Sequence, residues 1–329
     1  MRLRASDPGL HRHPAHAGER YVKLTQIRDL IATAETGSLR AAARHLGVTQ
    51  PAITRSIREL EQELGTPLFE RHQFGMQPTA TGRIMLERAR AVQEELRRAR
   101  EEIAQLQGEM TGDVRVAMST IATFALMPQA VRAFRATHPR AVLKFVESLY
   151  QPIEAQLLSG QIDFFVGPFS DQGRASRVTS ETLFTNRRVV IARKGHRLVG
   201  ATSIAQLTEA EWVKQALPDR QSEGDFERPF IQAGLPMPNV IMHTTSATAT
   251  LLAVANGDLL TSVPRQMLDA PVSRDLFAVL PIREDLFAAP ICLVRRTDLS
   301  LTPLAEFMFD MFRRAGLQYG RKTGGLGAG

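Results

Sequence analysis

The spacing of apolar residues near the start of the chain predicts three short helices. In the first, residues 24–36, apolar side chains recur every three or four positions and so share one face. Ser38 is a suitable N-cap for the second helix, and Gly47 is placed to turn the chain after it. Thr49 is suited to cap the third helix, with Pro51 in its first turn, where a missing N–H costs little. Two short helices joined by a tight turn form a helix-turn-helix motif.

The third helix combines a small apolar stripe with a polar face rich in hydrogen-bonding groups. Its expected buried positions are Ile53, Ile57, Leu60 and Leu64. Its other face carries the amide, hydroxyl and guanidinium groups of Gln50, Thr54, Arg55 and Arg58. Such a helix fits a groove of double-stranded DNA, where these groups meet base edges and phosphates. Residues 20–80 hold eight Lys or Arg against six Asp or Glu, so the placement of the cations, rather than their number, supports this interpretation.

A hairpin and a long helix are predicted next. Residues 65–80, GTPLFERHQFGMQPTA, combine Gly and Pro with two short apolar patches, which predicts a β-hairpin wing. From Thr81 onward, apolar residues follow spacings of four and three in the manner of a coiled-coil seam: Met85, Ala89, Val92, Leu96, Ala99, Ile103 and Leu106. This narrow seam favours dimerisation; the alternative is a helix packed on its own domain. The carboxylates on its flanks are expected to be solvated: Glu94, Glu95, Glu101 and Glu102.

Beyond Gly112, strand-like runs alternate with amphipathic helices. The predicted strands span 114–119, 142–148, 162–167, 187–192, 211–216, 239–245, 258–264, 277–282 and 289–296, and the predicted helices span 123–137, 151–159, 224–233, 246–256 and 303–316. Repeated strand–helix alternation predicts an α/β fold with open, mostly parallel sheets covered by helices. With about 200 residues available, two such sheets would form two lobes with a cleft between them.

Composition narrows the class of protein. Hydrophobic residues make up 43% and charged residues 23% of the 329 residues, as in ordinary globular proteins. No run of eighteen apolar residues occurs, so no transmembrane helix is expected, and the first twenty residues make a poor signal peptide. The single cysteine, Cys292, lies in an apolar run and is expected to be a buried structural thiol in a reducing cytoplasm. The net charge of +7 favours anionic partners.

The segment GSLRAAARHLGVTQPAITRSIRELEQELGTPLFER, followed by TATG at 79–82, resembles the DNA-binding signature of LysR-type transcriptional regulators. The resemblance extends from Leu24 to Leu317, and its C-terminal part is similar to type 2 periplasmic binding proteins. The segments MPQAVRAFRATHP, LYQPIEAQLLSGQIDFFVG and LLTSVPRQML resemble the branch that includes toluenesulfonate- and sugar-responsive regulators. The wing departs from the family pattern at Phe74 and Pro78, where relatives commonly have an arginine and a leucine, so it offers fewer cations to DNA.

The resemblance implies a domain order along the chain. A flexible tail (1–22) would precede a winged helix-turn-helix domain (23–80), a coiled-coil linker helix for dimerisation (81–108), an effector-binding domain (112–317) and a second flexible tail (318–329). Within the effector-binding domain, lobe I is expected over 112–185 and 265–317, and lobe II over 187–264.

The resemblance also assigns roles at the DNA end. It implies that Gln50, Pro51, Thr54 and Arg55 are the recognition positions. Glutamine pairs well with adenine and arginine with guanine, so Gln50 and Arg55 are assigned to base edges, with Pro51 against a thymine methyl group. Phosphate contacts are expected from Ser38, Thr49, Thr54, Arg58 and, on the wing, Arg71. The alternative for Arg55 and Arg58 is pairing with nearby glutamates on the same helix.

The resemblance places a small effector between the two lobes, near strand ends and helix N-termini. Four segments with this placement are candidates: Ser119 and Thr120; Gly167, Pro168 and Phe169; Thr245 and Ser246; and Ser262, Val263 and Pro264. Tyr150, expected in a loop, is a candidate wall of the site. Hydroxyls and free N–H groups at helix starts favour an anion, so a small organic anion, aromatic or sugar-derived, is expected. Each hydroxyl could instead be an ordinary helix cap.

The remaining expectations concern partners and the excluded classes. No GxSxG, Walker, HExxH or CxxC motif occurs, so no enzyme is expected, and neither a cofactor nor a metal. The HxHxxH of His11, His13 and His16 is weighed as a metal site and set aside because it lies in a tail. The rivals are a solute-binding protein and an enzyme of the same lobed fold. The expected partners are a partly palindromic DNA operator, a second copy in a homodimer or homotetramer, and the effector, with RNA polymerase as a further candidate; membrane is not among them.

Overall fold

The computed structural model describes residues 21–73, 75–170, 177–215, 226–269, 273, 275–286 and 288–324. The chain divides into two compact units, Met1–Gln93 and Glu94–Gly329. The histidine-rich segment 11–16 and the wing residue Phe74 lie outside the described residues.

The first unit is the predicted winged helix-turn-helix. It contains α1 Leu24–Thr36, α2 Leu39–Leu46, α3 Gln50–Leu64, the antiparallel hairpin of β1 Phe69–His72 and β2 Gly75–Pro78, and the first half of α4 Ala80–Leu106. Leu30, Ile53 and Leu60 are fully buried at the centre of its small apolar core. Because these three residues come from α1 and α3 and lie on one face of each helix, the apolar spacing alone fixes how the two helices pack.

The ends of these helices follow the predictions except for the cap at Thr49 and the burial of Leu64. Ser38 Oγ accepts a hydrogen bond of 3.0 Å from the Ala41 N–H, and Gly47 ends α2 with a left-handed φ of 68°. Thr49 occupies the N-cap position of α3, but its side chain accepts no capping hydrogen bond. Leu64, predicted to be buried, is 41% exposed because it is the last residue of α3.

The wing is tied to the helices by backbone contacts. The Met76 N–H donates to the Gly37 carbonyl at 2.8 Å, and a Cβ atom on Gly75 would lie 2.6 Å from that same carbonyl oxygen. Glu61 of α3 accepts hydrogen bonds through Oε1 from the Leu68 and Phe69 N–H groups, at 2.8 and 3.3 Å. The hairpin therefore has a fixed position beside α3, and glycine is required at 75.

The second unit begins with the second half of α4 and continues as an α/β fold. Its strands are β3 Asp113–Met118, β4 Val142–Glu147, β5 Phe164–Pro168, β6 Val178–Phe184, β7 Arg188–Arg193, β8 Glu211–Gln215, β9 Asn239–Thr244, β10 Leu259–Pro264, β11 Phe277–Val279 and β12 Ile291–Arg296. Its further α-helices are α5 Thr120–Ala125, α6 Met127–Thr137, α7 Tyr150–Leu158, α8 Arg228–Gln232, α9 Ala247–Asn256 and α10 Pro303–Gly324, and 3₁₀ turns span Ile204–Leu207 and Arg265–Leu268.

The strands form two five-stranded sheets, one in each lobe. The lobe I sheet has the order β4-β3-β5-β12-β6, and the lobe II sheet has the order β11-β7-β10-β8-β9. In lobe I, β3 runs parallel to β4 and β5, whereas β12 runs antiparallel to β5 and β6. In lobe II, β8 runs parallel to β9 and β10, whereas β7 runs antiparallel to β10 and β11. The predicted two-lobed α/β fold is confirmed, but the sheets are mixed rather than mostly parallel.

The structure differs from the predictions in one missed strand, one lobe boundary and one helix that is divided in two. Strand β6 was not predicted, because this edge strand is largely polar and only its last two residues form an apolar pair. Strand β11 pairs with β7 in the lobe II sheet, so the chain returns to lobe I with β12 and not at 265. The predicted helix 123–137 is two helices, since Pro128 starts a new helix after Leu126.

Helix α10 is the element that closes lobe I. It packs with α6 against the sheet, where Phe134, Phe164 and Phe312 are completely buried. It ends at Gly324 rather than at 316, so residues 318–324 are helical instead of forming the start of a flexible tail.

Candidate functional site

The exposed face of α3 presents the predicted recognition residues together. Gln50, Pro51, Arg55 and Arg58 are exposed and Thr54 is half-buried. With Glu59 and Gln62 they line one shallow surface depression. The Thr54 hydroxyl donates to the Gln50 carbonyl at 3.0 Å, within the helix.

The two arginines of this face have no carboxylate partner. Within the part of the chain that the structure describes, neither Arg55 nor Arg58 forms a hydrogen bond or a salt bridge. Glu61, one of the predicted alternative partners, is engaged by the wing backbone. Two uncompensated guanidinium groups on one exposed helix face can bind phosphate or guanine without first breaking an internal pair.

The remaining DNA-end candidates lie outside this face. Ser38 stands at the start of α2, where its hydroxyl caps the helix. Thr49 is exposed just before α3. Arg71 is exposed on β1, opposite Met76.

In lobe I, the candidates Ser119 and Gly167 adjoin each other at the carboxyl ends of β3 and β5. The Ser119 N–H donates to the Val166 carbonyl at 2.9 Å, and a Cβ atom on Gly167 would lie 2.9 Å from Ser119 Oγ. Ser119 is 3% exposed, and its hydroxyl caps α5 by accepting a 3.4 Å hydrogen bond from the Ala122 N–H. Ser119 therefore has the structural role that the sequence left as its alternative.

Thr120 is paired with an acidic residue that sequence reasoning missed. Its hydroxyl donates to Glu147 Oε1 at 2.6 Å, and Glu147 ends β4 next to β3. The parallel pairing of β3 and β4 brings the two strand ends together, which was the available signal. A carboxylate at this edge disfavours an anion bound at Thr120.

In lobe II, the candidate hydroxyls are partly occupied by internal hydrogen bonds. Ser246 Oγ caps α9 by accepting from the Ala249 N–H at 3.2 Å, and both Thr245 and Ser246 are exposed. Ser262 Oγ accepts a 3.1 Å hydrogen bond from Arg188 Nε, and Arg188 Nη2 also donates to the Ser262 carbonyl. Arg188 is thus a second residue that the sequence did not identify, and it supplies positive charge in lobe II.

Helix α5 brings the candidates of the two lobes toward each other. Phe124 of α5 packs against the lobe II core that contains Val263, Ala247 and Met267. Val263 follows Ser262 in the chain, and Ala247 follows Ser246. The segments at 119–120, 245–246 and 262–264 therefore lie near one inter-lobe contact.

Tyr150 and Phe169 are buried together in an apolar cluster of lobe I. Tyr150 is the first residue of α7, not part of a loop, and is 5% exposed. Its ring centroid lies 4.7 Å from that of Phe169 and 5.8 Å from that of Phe165. Both residues belong to an apolar cluster on the other side of the sheet from the α5–α10 core, so the expected loop placement of Tyr150 is wrong, while its role as a wall of the site stays a prediction. Pro168, which precedes Phe169, is half-buried at the end of β5.

From Val92 onward, helix α4 has an exposed apolar face and a buried polar face. The predicted apolar seam is exposed only over its later part, where Val92, Leu96, Ile103 and Leu106 are 42%, 39%, 57% and 74% exposed. Its first two residues, Met85 and Ala89, pack in the core of the first unit instead. In contrast, the polar residues Arg98 and Gln105 are buried. Arg98 Nη2 contacts Asp163 Oδ1 at 2.8 Å, with side-chain exposures of 6% and 3%, and Gln105 Oε1 accepts from the Leu304 N–H at 3.1 Å.

Two carboxylates of α4 belong to the same polar interface. Glu94 accepts from Arg97 and Arg115, and Glu101 accepts from Arg97. Glu94 and Glu101 are therefore half-buried members of an ion network with lobe I, not solvated flanks. Burial raises the pKa of the Asp163 carboxyl, while Arg98 and the Arg115 N–H counteract this rise.

Cys292 is buried in β12, with its Sγ 3.6 Å from Thr182 Oγ1. Burial raises the pKa of its thiol, as expected for a structural cysteine. Among the described residues, no helix is long and apolar enough to span a membrane. Within those same ranges, no group of three His, Cys, Asp or Glu side chains could hold a metal ion.

Comparison with known proteins agrees with both units. Residues 24–83 match the family "Bacterial regulatory helix-turn-helix protein, lysR family" and residues 107–316 match "LysR substrate binding domain". The chain is 27% identical over 292 residues to the transcriptional regulator GalR of Pseudomonas putida, covering 88% of this chain and 73% of that one. It is 24% identical to TdcA of Escherichia coli, covering 84% and 88% of the two chains.

Solved structures of the same family share the fold. The LysR family regulator CbnR has 24% identity and a TM-score of 0.67, covering 89% of this chain and 99% of that one. Full-length CbnR complexed with its target DNA has 25% identity and a TM-score of 0.65, with the same coverage. The chain belongs to the LysR family: it is a DNA-binding transcriptional regulator with a substrate-binding domain, and not an enzyme.

Proposed function

We propose that this regulator reads its operator with the exposed face of α3 and responds to a small organic anion bound between its two lobes. The observation that carries the proposed DNA contact is the pair of arginines Arg55 and Arg58, which are exposed on one helix face and have no carboxylate partner among the described residues. Gln50 and Arg55 contact base edges, with Pro51 against a thymine methyl group. Ser38, Thr49, Thr54, Arg58 and Arg71 hold the backbone phosphates.

Arg55→Ala is expected to relax sequence preference more than it weakens non-specific binding. A bidentate arginine–guanine contact is worth about 1–3 kcal/mol of discrimination, so operator affinity should fall about 5- to 150-fold while affinity for random DNA changes little. Operator obtained by selection from a random library would be titrated against full-length protein over a salt series.

Arg58→Ala is the matched control for this experiment. It should weaken binding to both DNAs equally and reduce the slope of log affinity against log salt by about 0.9. An equal loss on operator and random DNA for Arg55→Ala would place Arg55 on a phosphate instead of a base.

A homodimer formed through the exposed seam of α4 supports the use of two half-sites, and hence a partly palindromic operator. Four further apolar side chains are exposed: Val142 and Val146 on the edge strand β4, Ile241 on the edge strand β9, and Leu252 on α9. They offer a second surface through which dimers could pair as a homotetramer. Since its target is DNA, the protein acts in the cytoplasm, and RNA polymerase remains a candidate partner.

The charges of the two lobes suggest how the effector is oriented. Glu147 stands beside Thr120 in lobe I, whereas Arg188 stands beside Ser262 in lobe II. An organic anion would therefore place its negative group toward Arg188 and Ser246, and its hydroxyl or amine groups toward Thr120 and Glu147. Binding across both lobes favours a closed arrangement and shifts an existing equilibrium between states on DNA.

A thermal-shift screen of the full chain against aromatic acids, sulfonates and sugar acids should yield a stabilising ligand. A ligand that binds only the folded state adds about 2.7 kcal/mol at a hundredfold excess over its Kd. Arg188→Gln should abolish the shift for the anion, while Arg187→Gln, at the neighbouring exposed arginine, should preserve it. A hit that stabilises both variants equally would contradict the assigned orientation.

A further inference from the structure

The last two turns of α10 extend beyond both the predicted helix and the matched family domain, which ends at residue 316. They approach β6 unusually closely because two glycines lie at the contact. A Cβ atom on Gly316 would lie 2.6 Å from Leu183 Cδ1, and one on Gly320 would lie 3.2 Å from the Leu183 carbonyl oxygen. Tyr319 lies between these two glycines in the chain, and the close approach of the helix to β6 fixes the direction of its side chain.

Tyr319 connects lobe I with lobe II. Its ring centroid lies 4.9 Å from that of Phe184, the last residue of β6. Its hydroxyl donates to Asp269 Oδ2 at 2.8 Å. Burial, together with this hydrogen bond, raises the pKa of the Tyr319 phenol, so the hydroxyl stays protonated and remains a donor.

Asp269 belongs to lobe II. It follows the 3₁₀ turn Arg265–Leu268, whose Met267 and Leu268 are buried in the lobe II core. The Arg265 N–H donates to the Arg187 carbonyl at 2.8 Å. The turn is therefore attached to the segment where the chain first crosses from lobe I to lobe II, between Phe184 and Arg188.

We propose that the Tyr319–Asp269 contact is a latch across the crossing at 185–187, which holds the two lobes at a defined angle. Tyr319 is held on Phe184, which precedes the crossing. Asp269 follows the 3₁₀ turn that is hydrogen-bonded to Arg187, at the far side of the crossing. A rotation of the lobes about 185–187 that moves the turn Arg265–Leu268 away from Phe184 lengthens this hydrogen bond. That the angle in turn sets effector affinity rests on the proposed function; the latch itself does not.

Amide hydrogen exchange of the full-length protein without any ligand tests the latch. Tyr319→Phe keeps the ring on Phe184 and removes only the hydroxyl. It should raise exchange about three- to tenfold in the segments 185–188 and 264–269, because the net contribution of one hydrogen bond resists local opening by that order. Asp269→Ala should raise exchange in the same two segments, and the double variant should give no further increase. Arg321→Ala, at an exposed position on the same turn, should leave both segments unchanged.

Two results would overturn the latch. Unchanged exchange at 185–188 in both single variants would show that the contact does not restrain the crossing. A rise spread through the whole of lobe I would assign Tyr319 to packing alone. Because no effector or DNA is present, either result leaves the proposed effector site untouched, and a failed ligand screen leaves the latch untouched.

Discussion

Full-length protein carrying Leu96→Asp is expected to sediment as a monomer and to lose about 10²- to 10⁴-fold in affinity for a two-half-site operator. Leu96 lies at the middle of the exposed α4 seam, where a second copy would bring two carboxylates into an apolar interface without partners. Loss of the dimer removes the gain from simultaneous binding of two half-sites. Sedimentation velocity and operator titration would measure the two effects.

Gln93→Asp is the control for Leu96→Asp. It adds the same charge to the same helix at an exposed position off the seam, and should leave both the dimer and operator binding intact. A Leu96→Asp protein that still sediments as a dimer would move the interface to another surface.

Arg98→Met should destabilise the second unit by about 3–5 kcal/mol, because it leaves the Asp163 carboxylate buried without its charged partner. For a unit of this size, that loss corresponds to roughly 6–20 °C in Tm. The double variant Arg98→Met/Asp163→Asn should recover most of the loss, since the amide oxygen of asparagine can still accept from the Arg115 N–H. Calorimetry of the full-length variants would separate these outcomes, with Arg100→Met, at an exposed position on α4, as the control.

The Arg98→Met variant should also show a characteristic pH dependence. Without arginine, burial raises the pKa of Asp163 further above its unfolded value. The folded state then binds the proton more tightly than the unfolded state, so stability is greatest below the unfolded pKa and falls as the pH rises toward the folded pKa. The stability difference between variant and wild type should therefore be smaller at acidic pH than at neutral pH. A pH-independent difference would mean that Arg98 acts through packing alone.

The sequence predicted most elements because their signals are local. Ser38 marks a helix start through its capping hydroxyl, Gly47 marks a helix end through its left-handed φ, and Pro51 marks a first turn through its fixed φ. The structure follows each of them. Strand β6 escaped prediction because an edge strand needs no apolar alternation. The return of the chain to lobe I at β12 could not be predicted from local pattern, since β11 and β12 are both largely apolar strands and their sequences do not say which sheet each one joins.

The candidate site residues were likewise predicted where local spacing determines their position and missed where contacts between distant parts of the chain do. On α3, helical spacing places Gln50, Arg55 and Arg58 on one face, because one helix determines all three positions. In the effector-binding domain, Glu147 and Arg188 escaped notice because each meets its partner across neighbouring strands. The burial of Tyr150 could not be predicted because its contacts with Phe165 and Phe169 also join distant parts of the chain.

The strand order of the two sheets has a consequence for folding during synthesis. Lobe II is built from one continuous stretch, β7 to β11, whereas the lobe I sheet needs β12 between β5 and β6, and its core needs α10. While the ribosome is still translating residues before 291, β5 and β6 have no neighbour on their facing edges. Lobe I is therefore completed last, and until then its exposed strand edges are the part of the nascent chain that most needs protection from aggregation. A ribosome stalled before β12 would hold a folded DNA-binding unit and lobe II attached to an unfinished lobe I.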